Sequence, residues 1–264
     1  MILAFDIGNT NIKVAVLENE KIINQWRLST NSRRTGDEYF STLRPLFNEA
    51  HIDFSKIDDA VISSVVPALI GPFIIVTQHI CGKKPLVIGP EIYSKLPVNL
   101  PETAIHEIGT DLLSDAVAAW LKYKCPSIVI DFGTALSFTA IDHKGNISGI
   151  AIAPGIGTAI ESLFKNTAQL PSVPMDVPES SLGKNTVWSI QSGIFLGYKG
   201  LIESMISRMK TDLSKESLTK KEDIKVIATG GLNSVLQPII KSINFIDKDL
   251  TITGIAMILK TVRE

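Results

Sequence analysis

The chain has 264 residues, 45% hydrophobic and 20% charged, with a formal net charge of -1. That length holds two domains of ~100–150 residues with real cores, and the near-neutral charge leaves no basic footprint for nucleic acid. No unbroken apolar run approaches the ~20 residues of a membrane helix. Residue 1 leads straight into a strand pattern without a basic region or cleavage site, so no signal peptide is expected. Cys81 and Cys125 have neither a disulfide framework nor metal-ligand spacing, and they read as inert, partly buried thiols of a reducing cytoplasm.

In chain order, residues 2–23 read as strand, tight acidic turn (Asp6-Ile7-Gly8-Asn9-Thr10), apolar stretch, polar turn (Glu18-Asn19-Glu20-Lys21) and a second apolar stretch. Residues 37–51 carry Tyr39, Phe40, Leu43, Leu46 and Phe47 at helical spacing. Residues 59–66 read as a buried strand stopped by Pro67, 67–81 as a helix and 85–88 as the next strand. The proline-punctuated stretch 89–107 reads as the crossing between halves, followed by a strong helix over 110–122 with Leu113, Ala116, Val117 and Trp120 on one face. Residues 128–150 then repeat the opening: strand, acidic turn (Asp131-Phe132-Gly133-Thr134), apolar stretch, polar turn (residues 142–146) and Ile147 onward. A longer helix covers 189–210, a charged, solvated connection 210–225, and a closing helix 255–262. Between the last two, Lys225-Val226-Ile227-Ala228 enters Thr229-Gly230-Gly231, followed by Leu232-Asn233-Ser234.

The repeated turn carries chemistry. Glycine lets the backbone approach an anion, and the following amides and hydroxyl can donate to phosphate oxygens. A carboxylate cannot bind phosphate, so its natural use is to hold a cation or cation-bound water beside one. The plain structural alternative for Asp6 and Asp131 is a turn-forming Asp that caps its own loop. The paired glycines after the late strand let a phosphate or flat group lie against backbone. This order resembles that of the actin, hexokinase and Hsp70 superfamily. It implies an α/β protein of two duplicated actin-like (ribonuclease H-like) domains, residues 1–110 and 111–264, with an interdomain nucleotide cleft.

Further pieces narrow the resemblance. They are Asp6 to Lys13, Ser63-Ser64-Val65-Val66-Pro67, Ile108-Gly109-Thr110-Asp111, Asp131 to Ala135, Pro154-Gly155, Asn166 to Pro171, Thr186 within the approach to Ser189-Ile190-Gln191-Ser192-Gly193, and Ala228 to Gly231. In number, order and spacing the chain resembles the type III pantothenate kinases, ATP-dependent enzymes that open coenzyme A synthesis. The resemblance implies that Asp6, Ile7, Gly8, Asn9, Thr10, Asn11, Ile12 and Lys13 form the first phosphate loop. Asp6 would hold magnesium directly or through water, Asp131 a monovalent cation (potassium or ammonium), and Thr134, Gly230 and Gly231 would contact ATP. Asp111 would be the general base, beside Gly109, Thr110, Leu112 and Thr186 as substrate contacts, in a cytoplasmic homodimer with no nucleic-acid or membrane partner. For Asp111 the alternative is a simple N-terminal helix acid, and for Thr186 a helix N-cap. Asp115 reads as structural. Phe132, Phe138 and Trp188 read as core aromatics, and the four histidines have no assigned role.

The chain also departs from the family. Leu112 stands where the usual member has Arg, and Glu102 by plain counting (or a residue near Leu100) stands where it has Tyr. Both missing groups help hold pantothenate, and Lys95, Lys165 and Lys184 are the candidate replacements. A non-catalytic regulator of the same fold, or a kinase of the superfamily for another small molecule, are the alternative functions.

Overall fold

A computed structural model describes residues 1–165, 173–231 and 236–264. The elements run β1 (Ile2–Ile7), β2 (Asn11–Glu18), β3 (Lys21–Ser29), α1 (Gly36–Glu49), β4 (Asp59–Ser64), α2 (Pro67–Cys81), β5 (Leu86–Val87) and α3 (Thr110–Tyr123). They continue with β6 (Ser127–Phe132), β7 (Ala135–Ile141), β8 (Ile147–Pro154), α4 (Ile156–Lys165), α5 (Thr186–Gln191), α6 (Gly197–Ser217), β9 (Lys225–Thr229), β10 (Phe245–Ile246) and α7 (Leu250–Arg263).

The first unit comprises Met1–Leu121 together with Leu250–Glu264. Its five-stranded sheet has the order β3-β2-β1-β4-β5. The first three strands form an antiparallel meander, and β4 and β5 add in parallel to β1. On one face Leu3, Phe5, Ile7, Ile12 and Val14 bury against Tyr39, Leu43, Phe47, Leu69 and Phe73 of α1 and α2. Phe73 meets Phe5 edge-on at 5.0 Å and Tyr39 at 4.8 Å, which fixes how the two helices seat on the strands. A capping box between Thr35 and Glu38 starts α1, and Pro67 opens α2 where its missing N–H costs nothing. Helix α7 lies against β1, β2 and β4. It also crosses α3 so closely that a side chain at Gly254 would strike the Ser114 carbonyl.

The second unit, Lys122–Asp249, repeats the pattern in the order β10-β9-β6-β7-β8. Again an antiparallel meander is extended in parallel by β9 and β10. The strand order of one sheet is that of the other, so the duplicated turns reflect duplicated α/β halves. Ile128, Ile130, Phe132, Phe138, Val226 and Ala228 form its core with Phe195, Ile202 and Ile206.

Several expectations change. Helices α3 and α7 group with the first unit, rather than the chain dividing after residue 110. Residues 210–217 continue α6 instead of forming a connection. Their charges face water while Leu213, 2% exposed, continues the buried stripe of Ile202 and Ile206. The helix expected over 189–210 is interrupted by a π-helical turn at Ser192–Leu196. Phe132 and Phe138 are core residues, but Trp188 is 54% exposed, because α5 presents it outward. Among the described residues no helix is long and apolar enough to cross a membrane.

Candidate active site

The first acidic turn joins β1 to β2. Asp6 stands half-buried at the end of β1, and the turn closes through Gly8 N–H to the Asn11 carbonyl at 3.0 Å. Thr30 braces it from β3's end: its hydroxyl donates to the Gly8 carbonyl at 2.6 Å, and its N–H to the Thr10 carbonyl at 3.0 Å. Asn9, Thr10 and Asn11 are exposed at the tip, while the side chains of Ile7 and Ile12 lie fully in the core. Those two isoleucines therefore anchor the loop, and only their backbone could face a ligand.

Sheet register places Ser63, Asp6 and Lys13 side by side on one face. Ser63 is the link to the expected base. Its buried hydroxyl donates to Thr110 Oγ1 at 2.8 Å, docking the start of α3 onto β4 next to Asp6. The helix then begins with Leu113 N–H to the Gly109 carbonyl at 3.1 Å and Ser114 Oγ to the Thr110 carbonyl at 2.7 Å. Asp111, the next residue, accepts from the Leu112 N–H at 2.8 Å. A side chain at Gly109 would overlap that carboxylate, which explains the glycine in the Gly109-Thr110-Asp111 run.

Both carboxylates are shifted toward the protonated form. Asp6 is raised to about 6 by burial, opposed by Lys13, with Asp111 adding to the rise and Arg27 opposing it. Burial also raises Asp111, partly offset by the N–H groups at the helix start. Asp6 and Asp111 are thus two half-buried carboxylates with raised affinity for protons, set beside Lys13. Asp115, 1% exposed, lies one turn further along α3, away from solvent.

The second acidic turn, between β6 and β7, closes through Gly133 N–H to the Ala135 carbonyl at 3.0 Å. The Thr134 carbonyl accepts from Gly155 N–H at 3.0 Å and from Thr158 Oγ1 at 2.7 Å, so the start of α4 is tied to this turn. Thr134's side chain is exposed. Gly230, at φ +89°, turns the chain directly over Asp131, and any side chain there would strike the carboxylate and the Phe132 backbone. Register sets Thr229 beside Asp131, and the buried Thr229 hydroxyl has no hydrogen-bond partner among the described residues. Asp131 and Gly230, from two separated motifs, therefore meet in this unit, and Gly231 is exposed beside Gly230.

Other expected contacts are less complete. Leu112 is 9% exposed and offers no cation. Lys95, Lys165 and Lys184 are all exposed, and Lys165 pairs with Glu161 at 2.6 Å. Thr186 is exposed in the first turn of α5, whose N-cap is Asn185, accepting from Trp188 N–H at 2.9 Å. The motif at residues 166–171 and Leu232-Asn233-Ser234 lie outside the described residues. Among the described residues no three His, Cys, Asp or Glu side chains cluster as a metal site. Arg27 and Thr30 were not singled out from the sequence; the β2–β3 register sets Arg27 beside Lys13, and Thr30 reaches the first turn through its hydrogen bonds to Gly8 and Thr10.

Comparison with known proteins shows the family. A family model described as type III pantothenate kinase matches residues 2–208. A type III pantothenate kinase from Geotalea uraniireducens is 38% identical over 264 residues, covering 100% of both chains. One from Citrifermentans bemidjiense is 39% identical over 258 residues, covering 98% of each. Among solved structures, a Campylobacter jejuni protein assigned to the Baf family of transcriptional activators superposes with a TM-score of 0.59 at 19% identity, covering 98% of this chain and 97% of that one. An ethanolamine utilization protein from Carboxydothermus hydrogenoformans gives 0.53 at 16% identity, covering 97% and 89%. These structural likenesses concern the fold, whereas the sequence matches run the length of the chain: it belongs to the type III pantothenate kinases.

Proposed function

We propose that Asp111 is the general base in ATP-dependent phosphorylation of pantothenate, the opening step of coenzyme A synthesis. The observation that carries this reading is the Ser63–Thr110 hydrogen bond, which seats Asp111 beside Asp6 at the first phosphate turn. Asp111 accepts the proton of the substrate's primary alcohol as that oxygen attacks the terminal phosphorus of ATP. Lys13 and the amides of the Gly8–Thr10 turn bind and orient the phosphates.

Magnesium suits this site. Asp6 is one half-buried carboxylate crowded by another, and magnesium commonly takes one or two carboxylates with its remaining ligands from phosphates and water. Asp6 would hold it, and the ion would supply charge neutralisation to the phosphates. Asp131 is read as the site of the monovalent cation, supported by the unpartnered Thr229 hydroxyl beside it. A homodimer through the second unit is supported by its exposed Ile152, Leu182 and Trp188, and sedimentation of the purified protein tests it.

The central test is a coupled ADP-release assay with pantothenate. Asp111→Asn should lower kcat by ~10²–10⁴ while MgATP still binds. Near-normal turnover would leave Asp111 as a helix acid only.

A further inference from the structure

We propose that Arg27 binds the leaving phosphate of ATP, and so acts as a further catalytic residue of this kinase. The inference rests on the assignment of Asp111 as base and deepens it.

Register pairs Ser63 with Asp6, Asp6 with Lys13, and Lys13 with Arg27. The four side chains therefore form one row across β4, β1, β2 and β3. Neighbouring residues confirm which face Arg27 takes. Trp26 stacks on Phe47 at 4.6 Å and Leu28 packs on the same core, so Arg27 between them points to the opposite side, with Asp6. At ~4.8 Å per strand, Arg27 lies ~10 Å from Asp6 at the backbone, a gap its long side chain can largely close.

The row has a direction. Asp111 is fastened at the Ser63 end through Thr110. In phosphoryl transfer the attacking and leaving oxygens stand roughly in line on opposite sides of phosphorus. With the base at one end, the leaving oxygen falls toward Lys13 and Arg27. As the new bond from the alcohol oxygen to phosphorus forms and the γ-phosphorus–bridging oxygen bond breaks, that electron pair passes to the β-phosphate of ADP, and the alcohol proton passes to Asp111. A guanidinium can grip two phosphate oxygens at once. Neither the Lys13 nor the Arg27 side chain forms a hydrogen bond or ion pair among the described residues, and Arg27 is exposed on the edge strand. Its charge already acts on Asp6, which places it within electrostatic reach of the site.

The test compares wild type, Arg27→Gln and Arg27→Lys by steady-state kinetics and by calorimetric binding of MgADP. Arg27→Gln should lower kcat ~10²–10³-fold and weaken MgADP about tenfold, leaving the KM for pantothenate within about twofold. Arg27→Lys should recover part of both effects. Unchanged kcat and MgADP affinity would overturn the proposal. So would a rise in pantothenate KM with MgADP affinity intact, which would assign the cation to the substrate carboxylate. MgADP binding needs no pantothenate, so weakened MgADP in a protein that does not phosphorylate pantothenate would retain Arg27's role and reject the substrate reading. The exposed position should leave the urea midpoint unchanged, and if Arg27→Gln fails to fold, Arg27→Lys decides through the same two measurements.

Discussion

Gly109→Ala separates the position of the proposed base from its chemistry. The new methyl would overlap Asp111 Oδ1. That oxygen is not free to swing aside, because it accepts from the Leu112 N–H at 2.8 Å and the helix start is pinned by Thr110 to Ser63 at 2.8 Å. Relief requires the carboxylate to move by ~1 Å, and a displacement of that size costs ~10² in rate, or ~2.7 kcal/mol of activation free energy. Stability should change much less. Losing the Leu112 hydrogen bond costs ~0.5–1.5 kcal/mol, and replacing glycine by alanine returns ~0.4–1 kcal/mol through the unfolded chain. The assay is ADP release at saturating ATP and pantothenate, with urea unfolding on the same preparation. A kcat within about twofold of wild type, in a stably folded variant, would refute the idea that the placement of this carboxylate limits the reaction.

Asp6 links pH to stability. In the unliganded protein the folded state keeps the Asp6 proton up to about pH 6, whereas the unfolded chain releases it near ~3.9. The folded state therefore binds more protons between those values, and stability falls as pH rises through that window, by at most ~3 kcal/mol. Asp6→Asn should raise the urea midpoint near neutral pH, with a smaller gain at about pH 4, while abolishing MgATP binding; an unchanged midpoint at both pH values contradicts this. Leu112→Arg should lower the KM for pantothenate in a titration at saturating ATP, and should cost ~1–3 kcal/mol of stability because the site is buried. An unchanged KM would mean that the substrate carboxylate is already held by another group.

Much of this site could be read from local sequence because its parts are local devices. Asp6-Ile7-Gly8 and Asp131-Phe132-Gly133 each sit where a strand must reverse, and Pro67 marks a helix start by stereochemistry alone. What stayed hidden depends on pairing between distant segments. Arg27 joins the row only through the β2–β3 register, and Ser63 meets Thr110 across 47 positions of sequence. Residues 210–217 looked like a connection because lysines and glutamates outnumber apolar side chains there, although Leu213 extends the buried stripe of Ile202 and Ile206. Trp188 misled in the opposite sense: its apolar ring suggested burial, but it stands in the first turn of α5, capped by Asn185, and is exposed.

The placement of α7 has a consequence for biosynthesis. The first unit is discontinuous, and residues 250–264 complete it after the whole second unit has been made. Until they emerge from the ribosome, the sheet carrying Asp6 lacks the helix that lies against β1, β2 and β4 and crosses α3 at Gly254. Leu250, Ile252, Ile255 and Ile258, all fully buried in the finished protein, then close that surface. The ion pairs of Arg263 with Asp59 of β4 at 3.0 Å and of Lys260 with Glu20 in the β2–β3 turn at 2.7 Å join the helix to this sheet. The first phosphate turn is therefore completed only after the second has been made, and a nascent chain exposes its apolar seam until then.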